Sequence, residues 1–208
     1  MDSSTLASQV YKARNTLLAQ LSEQGYDVSK LTGFSITEVG TMLKHDLLDF
    51  KVTREDGRNV YVKFHHTKAL RPANVYDFVD QLFKADEPIL APTDTLYIVA
   101  NSDANDTLTK VIGLLWQQEE FYVVINSLAK LQYNALEHTL VPKHYVLTDE
   151  EAADVRKRYS IRNDAQLPAI SRFDPIAVII GLRPGQICQI VRPSRTSINA
   201  INYRFCEA

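Results

Sequence analysis

The sequence predicts an α+β protein with two domains. An N-terminal α/β domain is expected over residues 1–138, and a smaller C-terminal α+β domain with a β-sheet core over residues 139–208. The length of 208 residues is enough for two small domains. The composition, 45% hydrophobic and 23% charged, is typical of a globular chain. Strand and helix patterns alternate up to about His138, where the pattern changes.

The elements of the N-terminal domain follow from apolar spacing and from residues that begin or end helices and turns. The spacing of Ser35 and Glu38 predicts a capping box, because each residue can satisfy a free amide of the other. Asp56-Gly57 predicts a tight β-hairpin turn, because both residues tolerate positive φ. Helices are predicted at 5–23, from Pro72 onward and at 107–118, and strands at 47–54, 58–64, 96–100, 121–125 and 130–136.

The C-terminal domain is predicted mainly from caps and turns. Thr148 and Glu151 form a second capping-box pattern, which begins a helix ending near Tyr159. Asp174-Pro175 predicts the start of a short helix, and Pro184-Gly185 fits a type II turn. Strands are predicted at 140–147, 186–191 and 200–205, with a loop at 192–199 between the last two.

Motifs for catalysis and cofactor binding are missing from the sequence. It contains no GxGxxG, GxxxxGK[ST], HExxH, CxxC or GxSxG pattern. No catalytic residue, cofactor, metal ion or small-molecule substrate is therefore predicted. No apolar run approaches the roughly 20 residues that span a bilayer, so no membrane partner is expected.

The histidines and cysteines offer weak alternatives for metal binding. His65 and His66 are adjacent, so on a strand they face opposite sides and cannot chelate one ion together. The other combination that in principle could bind a metal ion consists of His138 and His144 with Cys188 or Cys206. No short ligand spacing supports it. Two cysteines are also too few for a disulfide framework, which is typical of a reducing intracellular compartment.

Charge is distributed unevenly along the chain. Residues 139–208 contain 10 Lys and Arg and 7 Asp and Glu, a net charge of +3. Residues 1–138 contain 13 Lys and Arg and 18 Asp and Glu, a net charge of −5. The basic C-terminal stretch is compatible with binding nucleic acid or an acidic protein surface, and equally with a solvated basic face.

Several linked motifs in the C-terminal third carry a family resemblance. In order along the chain they are Glu137-His138-Thr139-Leu140-Val141-Pro142-Lys143-His144, Gln166-Leu167-Pro168-Ala169-Ile170, Asp174-Pro175-Ile176-Ala177, Gly181-Leu182-Arg183-Pro184-Gly185, Arg192-Pro193-Ser194-Arg195-Thr196 and Tyr203-Arg204-Phe205. Their order and spacing resembles the fifth subunit shared by the eukaryotic nuclear RNA polymerases, together with its archaeal counterpart. Upstream, Gln24-Gly25-Tyr26-Asp27-Val28 and the α/β order resemble the N-terminal jaw domain of that family.

The resemblance implies a non-catalytic structural and assembly subunit of a DNA-dependent RNA polymerase. Its C-terminal domain is expected to dock on the largest subunit, among other subunits, and its jaw to lie beside downstream duplex DNA. Catalysis and its magnesium would belong to other chains. The implied location is the nucleus, or a cytoplasmic viral factory or virion if this diverged sequence comes from a large DNA virus.

Candidate contact residues follow from the same resemblance. The docking candidates are Arg192, Pro193, Ser194, Arg195, Thr196, Tyr203 and Arg204. The DNA-proximal candidates are Thr107 and Lys110, although Asp103 and Asp106 in the matching loop would repel phosphate.

Departures from the family pattern concern charge. Ala169 replaces the arginine of the family's Leu-Pro-Arg-Ile, and Arg195 replaces the glutamate of Arg-Pro-Ser-Glu-Thr.

A free-standing basic nucleic-acid-binding module is the alternative function, and it predicts salt-dependent binding to DNA or RNA. An enzyme ranks third, because no nucleophile, base or phosphate site can be assembled from the sequence.

Overall fold

The structure is a computed structural model, and it describes residues 3–66 and 68–208. The chain divides into two compact units, Met1–Tyr133 and Asn134–Ala208. The sequence prediction places the boundary after residue 138. Each unit contains its own sheet and its own helices.

The N-terminal unit is built on a mostly parallel sheet. Its elements are α1 (Ser3–Glu23), α2 (Ile36–Lys44), β1 (Phe50–Thr53), β2 (Asn59–His65), α3 (Pro72–Phe83), β3 (Thr95–Ala100), α4 (Asp106–Glu119) and β4 (Tyr122–Ser127). The strand order is β1-β2-β3-β4, with β1 antiparallel to β2 and the other neighbours parallel. Helices α3 and α4 form the crossovers between the parallel strands, which agrees with the α/β prediction.

Helices α3 and α4 pack on the same face of this sheet. Alternate residues of β3, including Leu96 and Ile98, are buried against Val79 of α3 and Ile112 of α4. All six residues of β3 are buried, because helices or other segments cover a parallel sheet on both faces. This explains why the strand reads in the sequence as an uninterrupted apolar run.

The predicted capping box at the start of α2 is present. The Ser35 hydroxyl accepts a hydrogen bond from the Glu38 amide at 3.3 Å, and the Glu38 carboxylate accepts one from the Ser35 amide at 2.7 Å. The Ser35 amide and hydroxyl lower the pKa of Glu38 by stabilising its charged form. The predicted helix start at Pro72 is also confirmed.

The predicted hairpin between β1 and β2 is confirmed, but its turn is wider than expected. Gly57 donates its amide to the Arg54 carbonyl at 2.9 Å, and Arg54 donates to the Arg58 carbonyl at 2.8 Å. Gly57 has a φ of +85°, whereas Asp56 is not in the left-handed region. This pattern is a type I turn followed by a glycine bulge, which gives a three-residue loop instead of a two-residue turn.

The predicted strand at residues 130–136 is wrong. The segment forms two 3₁₀ turns, Lys130–Gln132 and Ala135–Glu137. The Gln132 side-chain amide donates to the Leu128 carbonyl at 2.8 Å and to the Gln9 carbonyl at 3.0 Å. These bonds stabilise the turn and attach it to α1, so the apolar residues of the segment pack without joining the sheet.

The C-terminal unit contains the second sheet. Its elements are β5 (Lys143–Val146), α5 (Asp149–Arg158), β6 (Ala169–Ser171), α6 (Pro175–Ile179), β7 (Ile187–Pro193) and β8 (Asn199–Glu207). The strand order is β5-β7-β8-β6. Strand β7 is antiparallel to β5 and β8, and β6 is parallel to β8. The mixed sheet and separate helices agree with the predicted α+β class.

The two faces of this sheet bury different clusters. One cluster contains Ala177 of α6 with Cys188 and Cys206, and the other contains Val155 of α5 with Ile187. Burial raises the pKa of the Cys206 thiol to about 12 and also raises that of Cys188. Both thiols therefore stay protonated at neutral pH and behave as small apolar groups.

Local signals located the turns and caps of this unit correctly, but not all strand ends. The Thr148 and Asp174 caps are present, and Gly185 takes a φ of +88°. The predicted strand at 140–147 is shortened to β5, and β6 was not predicted. Strand β7 extends to Pro193 and β8 begins at Asn199, so the predicted loop at 192–199 narrows to 194–198.

Candidate partner-docking surface

The docking candidates lie on the β7–β8 hairpin. Arg192 and Pro193 were expected in a loop, but both belong to β7, where they pair with Ala200 and Asn199. Strand pairing fixes the backbone of Arg192, so its guanidinium is presented from a rigid element. This is a correction to the predicted loop, because the continuous register of β7 and β8 extends the ladder to Pro193.

Ser194, Arg195 and Thr196 form the first part of the hairpin tip. The Ser194 amide donates to the Ile198 carbonyl at 3.3 Å, and the Thr196 amide donates to the Ser194 hydroxyl at 3.4 Å. Arg195 is exposed. Ile198 at the same tip is 90% exposed.

A groove of about 860 Å³ lies beside this hairpin within the C-terminal unit. Its lining includes Arg192, Tyr203 and Arg204 from the predicted docking set. The other four candidates, at positions 193–196, lie outside the lining. The structure thus separates the predicted set into three groove residues, one residue at the end of β7 and three residues of the hairpin tip.

One wall of the groove is apolar and aromatic. Tyr203 of β8 packs against Tyr159, which follows α5, with ring centroids 5.8 Å apart. Tyr159 is 56% exposed, and Ile201 in the same wall is 52% exposed. Exposed aromatic and aliphatic side chains beside a concave surface are typical of protein–protein interfaces.

The charges of the groove are mainly positive. Arg192 and Arg204 are exposed, and Arg204 donates to the Ala169 carbonyl at 3.0 Å. Asp174 is the one acidic side chain in the described lining, and its carboxylate accepts the Ile176 amide at 2.8 Å as the cap of α6. The groove therefore complements a partner that carries a carboxylate beside apolar side chains.

Several groove residues were missed by sequence reasoning. They include His144, Tyr159, Leu167, Pro168, Ile190 and Ile201. The alternation of residues 200–205 predicts that Ile201 lies on a strand, but it does not show that its side chain is exposed. Only the arrangement of β5, β7, β8 and the segments after α5 and before β6 brings these residues together.

The DNA-proximal candidates lie at the start of α4 in the N-terminal unit. Thr107 and Lys110 are both exposed. Asn105 caps the helix by accepting the Leu108 amide at 2.9 Å, so this amide is already engaged. Asp103 pairs with Lys130 at 3.1 Å, and the Ser127 hydroxyl and Lys130 hold the pKa of Asp103 below its usual value. Contact between this segment and DNA stays a prediction.

The histidines occupy separate environments. The His65 ring contacts Phe78 edge-on at 5.8 Å, and burial lowers its pKa. The His144 Nδ1 lies 2.7 Å from the Pro142 carbonyl oxygen.

Within residues 3–66 and 68–208, no three His, Cys, Asp or Glu side chains gather as metal ligands. Across the same residues, no helix combines the length and hydropathy needed to cross a membrane.

Comparison with known proteins supports the resemblance found in the sequence. A family model described as the C-terminal domain of RNA polymerase Rpb5 matches residues 133–206. The subunit RPABC1 of DNA-directed RNA polymerases I, II and III from Caenorhabditis elegans is 49% identical over 76 residues, which are 36% of this chain and 36% of that protein. The alignment therefore spans little more than a third of the nematode relative.

Two further relatives extend the comparison. The subunit rpabc1 of DNA-directed RNA polymerases I, II and III from Dictyostelium discoideum is 28% identical over 200 residues, which are 96% of this chain and 98% of that protein. The DNA-directed RNA polymerase subunit Rpo5 from Staphylothermus marinus is 49% identical over 72 residues, 35% of this chain and 78% of that protein. The predicted likeness to the fifth polymerase subunit and its archaeal counterpart is thus confirmed, and this chain belongs to the RNA polymerase Rpb5 family.

Proposed function

We propose that this chain is a non-catalytic assembly subunit of a multi-subunit DNA-dependent RNA polymerase. Its relatives carry the names of subunits shared by polymerases I, II and III and of an archaeal polymerase subunit. No catalytic motif is present in the sequence. The chemistry of transcription would belong to other chains of the complex, and this chain would contribute binding surfaces.

The C-terminal unit would dock on the largest subunit. The single observation that carries this proposal is the groove beside β8, which combines exposed Tyr159 and Ile201 with the guanidinium groups of Arg192 and Arg204. A groove with an apolar wall and fixed cations suits a polypeptide partner, because apolar contacts supply affinity and paired charges determine orientation.

The N-terminal unit would lie near downstream duplex DNA. The exposed Thr107 and Lys110 at the start of α4 supply a hydroxyl and a cation for a phosphate oxygen. The neighbouring Asp106 opposes such a contact, so any affinity for DNA from this segment alone would be weak. We propose a nuclear location, which the eukaryotic relatives support, with a cytoplasmic viral factory or virion as the alternative for a viral chain.

Affinity purification of the tagged full chain tests membership of a polymerase. We expect the largest polymerase subunit to be recovered with it, as identified by mass spectrometry. Recovery of the chain without any large polymerase subunit would contradict the proposal. The experiment needs no assumption about the docking surface.

Variants of two arginines test the docking surface itself. Arg192→Ala removes a groove cation and should reduce recovery with the polymerase by about tenfold, the effect of losing one charge-assisted contact. Arg195→Ala at the hairpin tip is the matched control and should reduce recovery less, because Arg195 lies outside the groove lining. The melting temperatures of both isolated variants should equal that of the wild type, since both side chains are exposed. Unchanged recovery of Arg192→Ala would exclude the groove as the docking surface.

A further inference from the structure

Strand β8 has one edge that is only partly paired. Its residues pair with β7 from Asn199 to Phe205. On the other side, β6 pairs with β8 only from Phe205 to Glu207. The remaining residues, 199–204, therefore form an open edge on a strand that lies in the interior of the sheet order.

The hydrogen bonds near the end of β8 show which backbone groups point to the open edge. The Phe205 amide donates to the Pro168 carbonyl at 3.0 Å, toward β6, and the Cys206 amide donates to the Gln186 carbonyl at 2.9 Å, toward β7. Successive backbone groups of a strand alternate between its two edges. The amide and carbonyl groups of Ile201 and Tyr203 thus point away from β7, and no hydrogen bond within the described residues engages them.

Pro168 ends the pairing of β6 with β8. In the parallel register of Ala169 with Phe205, the next donor toward the Tyr203 carbonyl would be the amide of residue 168. Proline has no amide hydrogen, so this bond cannot form. The edge is consequently left free at the point where the groove begins.

The groove has the position expected of a missing strand. Its lining includes Ile201 and Tyr203, whose side chains lie on one face of β8, and Asn202 and Arg204, whose side chains lie on the other. A cavity lined from both faces of one strand reaches around its edge, and here it also extends over one face of the sheet, where His144 of β5 and Ile190 of β7 line it. A neighbouring strand would occupy this space at a spacing of about 4.8 Å.

We propose that an extended segment of a partner polymerase subunit binds there as an additional strand on β8. This inference rests on the proposed function as a polymerase subunit. The segment would exchange backbone hydrogen bonds with Ile201 and Tyr203, and its alternate apolar side chains would contact Tyr159 and Leu167. A carboxylate on the segment would pair with Arg192 or Arg204, because the one acidic group of the lining, Asp174, already caps α6.

A polypeptide fits this edge better than a nucleic acid does. The free groups of β8 alternate between donors and acceptors, which matches a peptide backbone and not a row of phosphate acceptors. The apolar wall formed by Tyr159 and Ile201 favours side chains over a hydrated sugar–phosphate backbone.

Hydrogen–deuterium exchange resolved to single amides tests the proposal on the full chain, both free and in purified polymerase. The Ile201 and Tyr203 amides should exchange at least about tenfold more slowly in the polymerase. The Asn202 and Arg204 amides, which point to β7, should be protected in both states and serve as internal controls. If the chain is recovered in polymerase and the Ile201 and Tyr203 amides exchange as fast as in the free chain, strand addition is excluded. Failure to recover the chain with any polymerase would instead contradict the proposed function.

A proline variant tests the backbone contact separately from the side chain. Ile201→Pro removes an outward-pointing amide that the β7 ladder does not use, and proline is tolerated at such edge positions. Its recovery with polymerase should fall by about tenfold relative to Ile201→Ala, which keeps the amide and loses a similar exposed side chain. Equal recovery of the two variants would contradict strand addition. If Ile201→Pro does not fold, the hydrogen–deuterium exchange measurement on the wild-type chain decides whether a strand is added to β8.

Other occupants of the edge give different results. Protection of the Ile201 and Tyr203 amides in the free chain at high concentration, together with dimers in analytical ultracentrifugation, would show that a second copy pairs there. Protection on addition of duplex DNA alone would assign the edge to nucleic acid. Either result would overturn the proposal.

Discussion

Arg14 is a buried cation that contacts carbonyl and aromatic groups instead of a carboxylate. It is 1% exposed, and its Nη1 donates to the Leu31 carbonyl at 2.7 Å. Its guanidinium carbon lies 4.8 Å from the ring centre of Phe34 and 5.6 Å from that of Phe50. In the described part of the chain no acidic side chain lies within ion-pair distance of it. Burial lowers the pKa of Arg14, although an arginine remains charged.

Substitutions of Arg14 should separate the contribution of its packing against the two rings from that of its charge to the free energy of unfolding. Arg14→Lys should reduce the free energy of unfolding by about 2 kcal/mol, because an ammonium cannot stack on the rings as a planar guanidinium does. Arg14→Met should cost less than Arg14→Lys, because it keeps an unbranched stem between the rings and buries no charge. Urea denaturation of the full chain measures the free energy of unfolding of both variants. A lysine variant as stable as the wild type would show that the planar guanidinium contributes nothing.

Helix α5 is stabilised by hydrogen bonds and charges within its own sequence. The Thr148 hydroxyl accepts the Glu151 amide at 3.3 Å, and the Glu151 carboxylate accepts the Thr148 amide at 2.9 Å. Three acidic residues follow in the first turn and three basic residues in the last, an arrangement that complements the helix dipole. The helix covers one face of the C-terminal sheet through Ala152 and Val155.

Loss of this cap should weaken the C-terminal unit. Thr148→Ala should reduce the free energy of unfolding by about 1 kcal/mol, because the Glu151 amide loses its acceptor. Thr148→Ser keeps the oxygen and should remain within a few tenths of a kcal/mol of the wild type. Chemical denaturation of the full chain, followed by circular dichroism, provides the comparison. Equal losses in both variants would show that the threonine methyl group, and not the cap, supplies the stability.

Elements that depend on local chemistry were predictable from sequence, and those that depend on distant partners were not. Thr148 and Gly185 act on residues within one turn, so their roles can be read directly. Strand β6 is a three-residue segment whose pairing partner begins at Phe205, far along the chain. The segment at 130–136 forms turns because Gln132 bonds to Gln9, a contact without a local signal. The groove was unpredictable for the same reason, although Arg192, Tyr203 and Arg204 in its lining were identified through the family resemblance.

At the scale of the whole molecule, the C-terminal unit has what an independent domain needs. Residues 134–208 contain a sheet with a buried cluster on each face. The archaeal relative matches 72 residues of this chain over 78% of its own length, so that protein is much shorter than this chain. The N-terminal unit has a separate apolar core between its sheet and α3 and α4.

The fragment 134–208 should therefore fold without the rest of the chain. We expect cooperative urea unfolding and well-dispersed amide resonances, because the two clusters bury apolar side chains on both sides of one sheet. The fragment 1–133 is the matched comparison, with its own mostly parallel sheet. A fragment 134–208 that unfolds without cooperativity would show that its stability requires the N-terminal residues.

The open edge of β8 has a consequence for cells that make this chain in excess. A strand edge with free amide and carbonyl groups is a template for edge-to-edge aggregation, and here it lies beside exposed Ile201 with Ile198 at the hairpin tip. The exposed Arg192 and Arg204 add like charges that oppose self-association. If a partner strand covers this edge as proposed, a copy of the chain without that partner is the form more prone to aggregate.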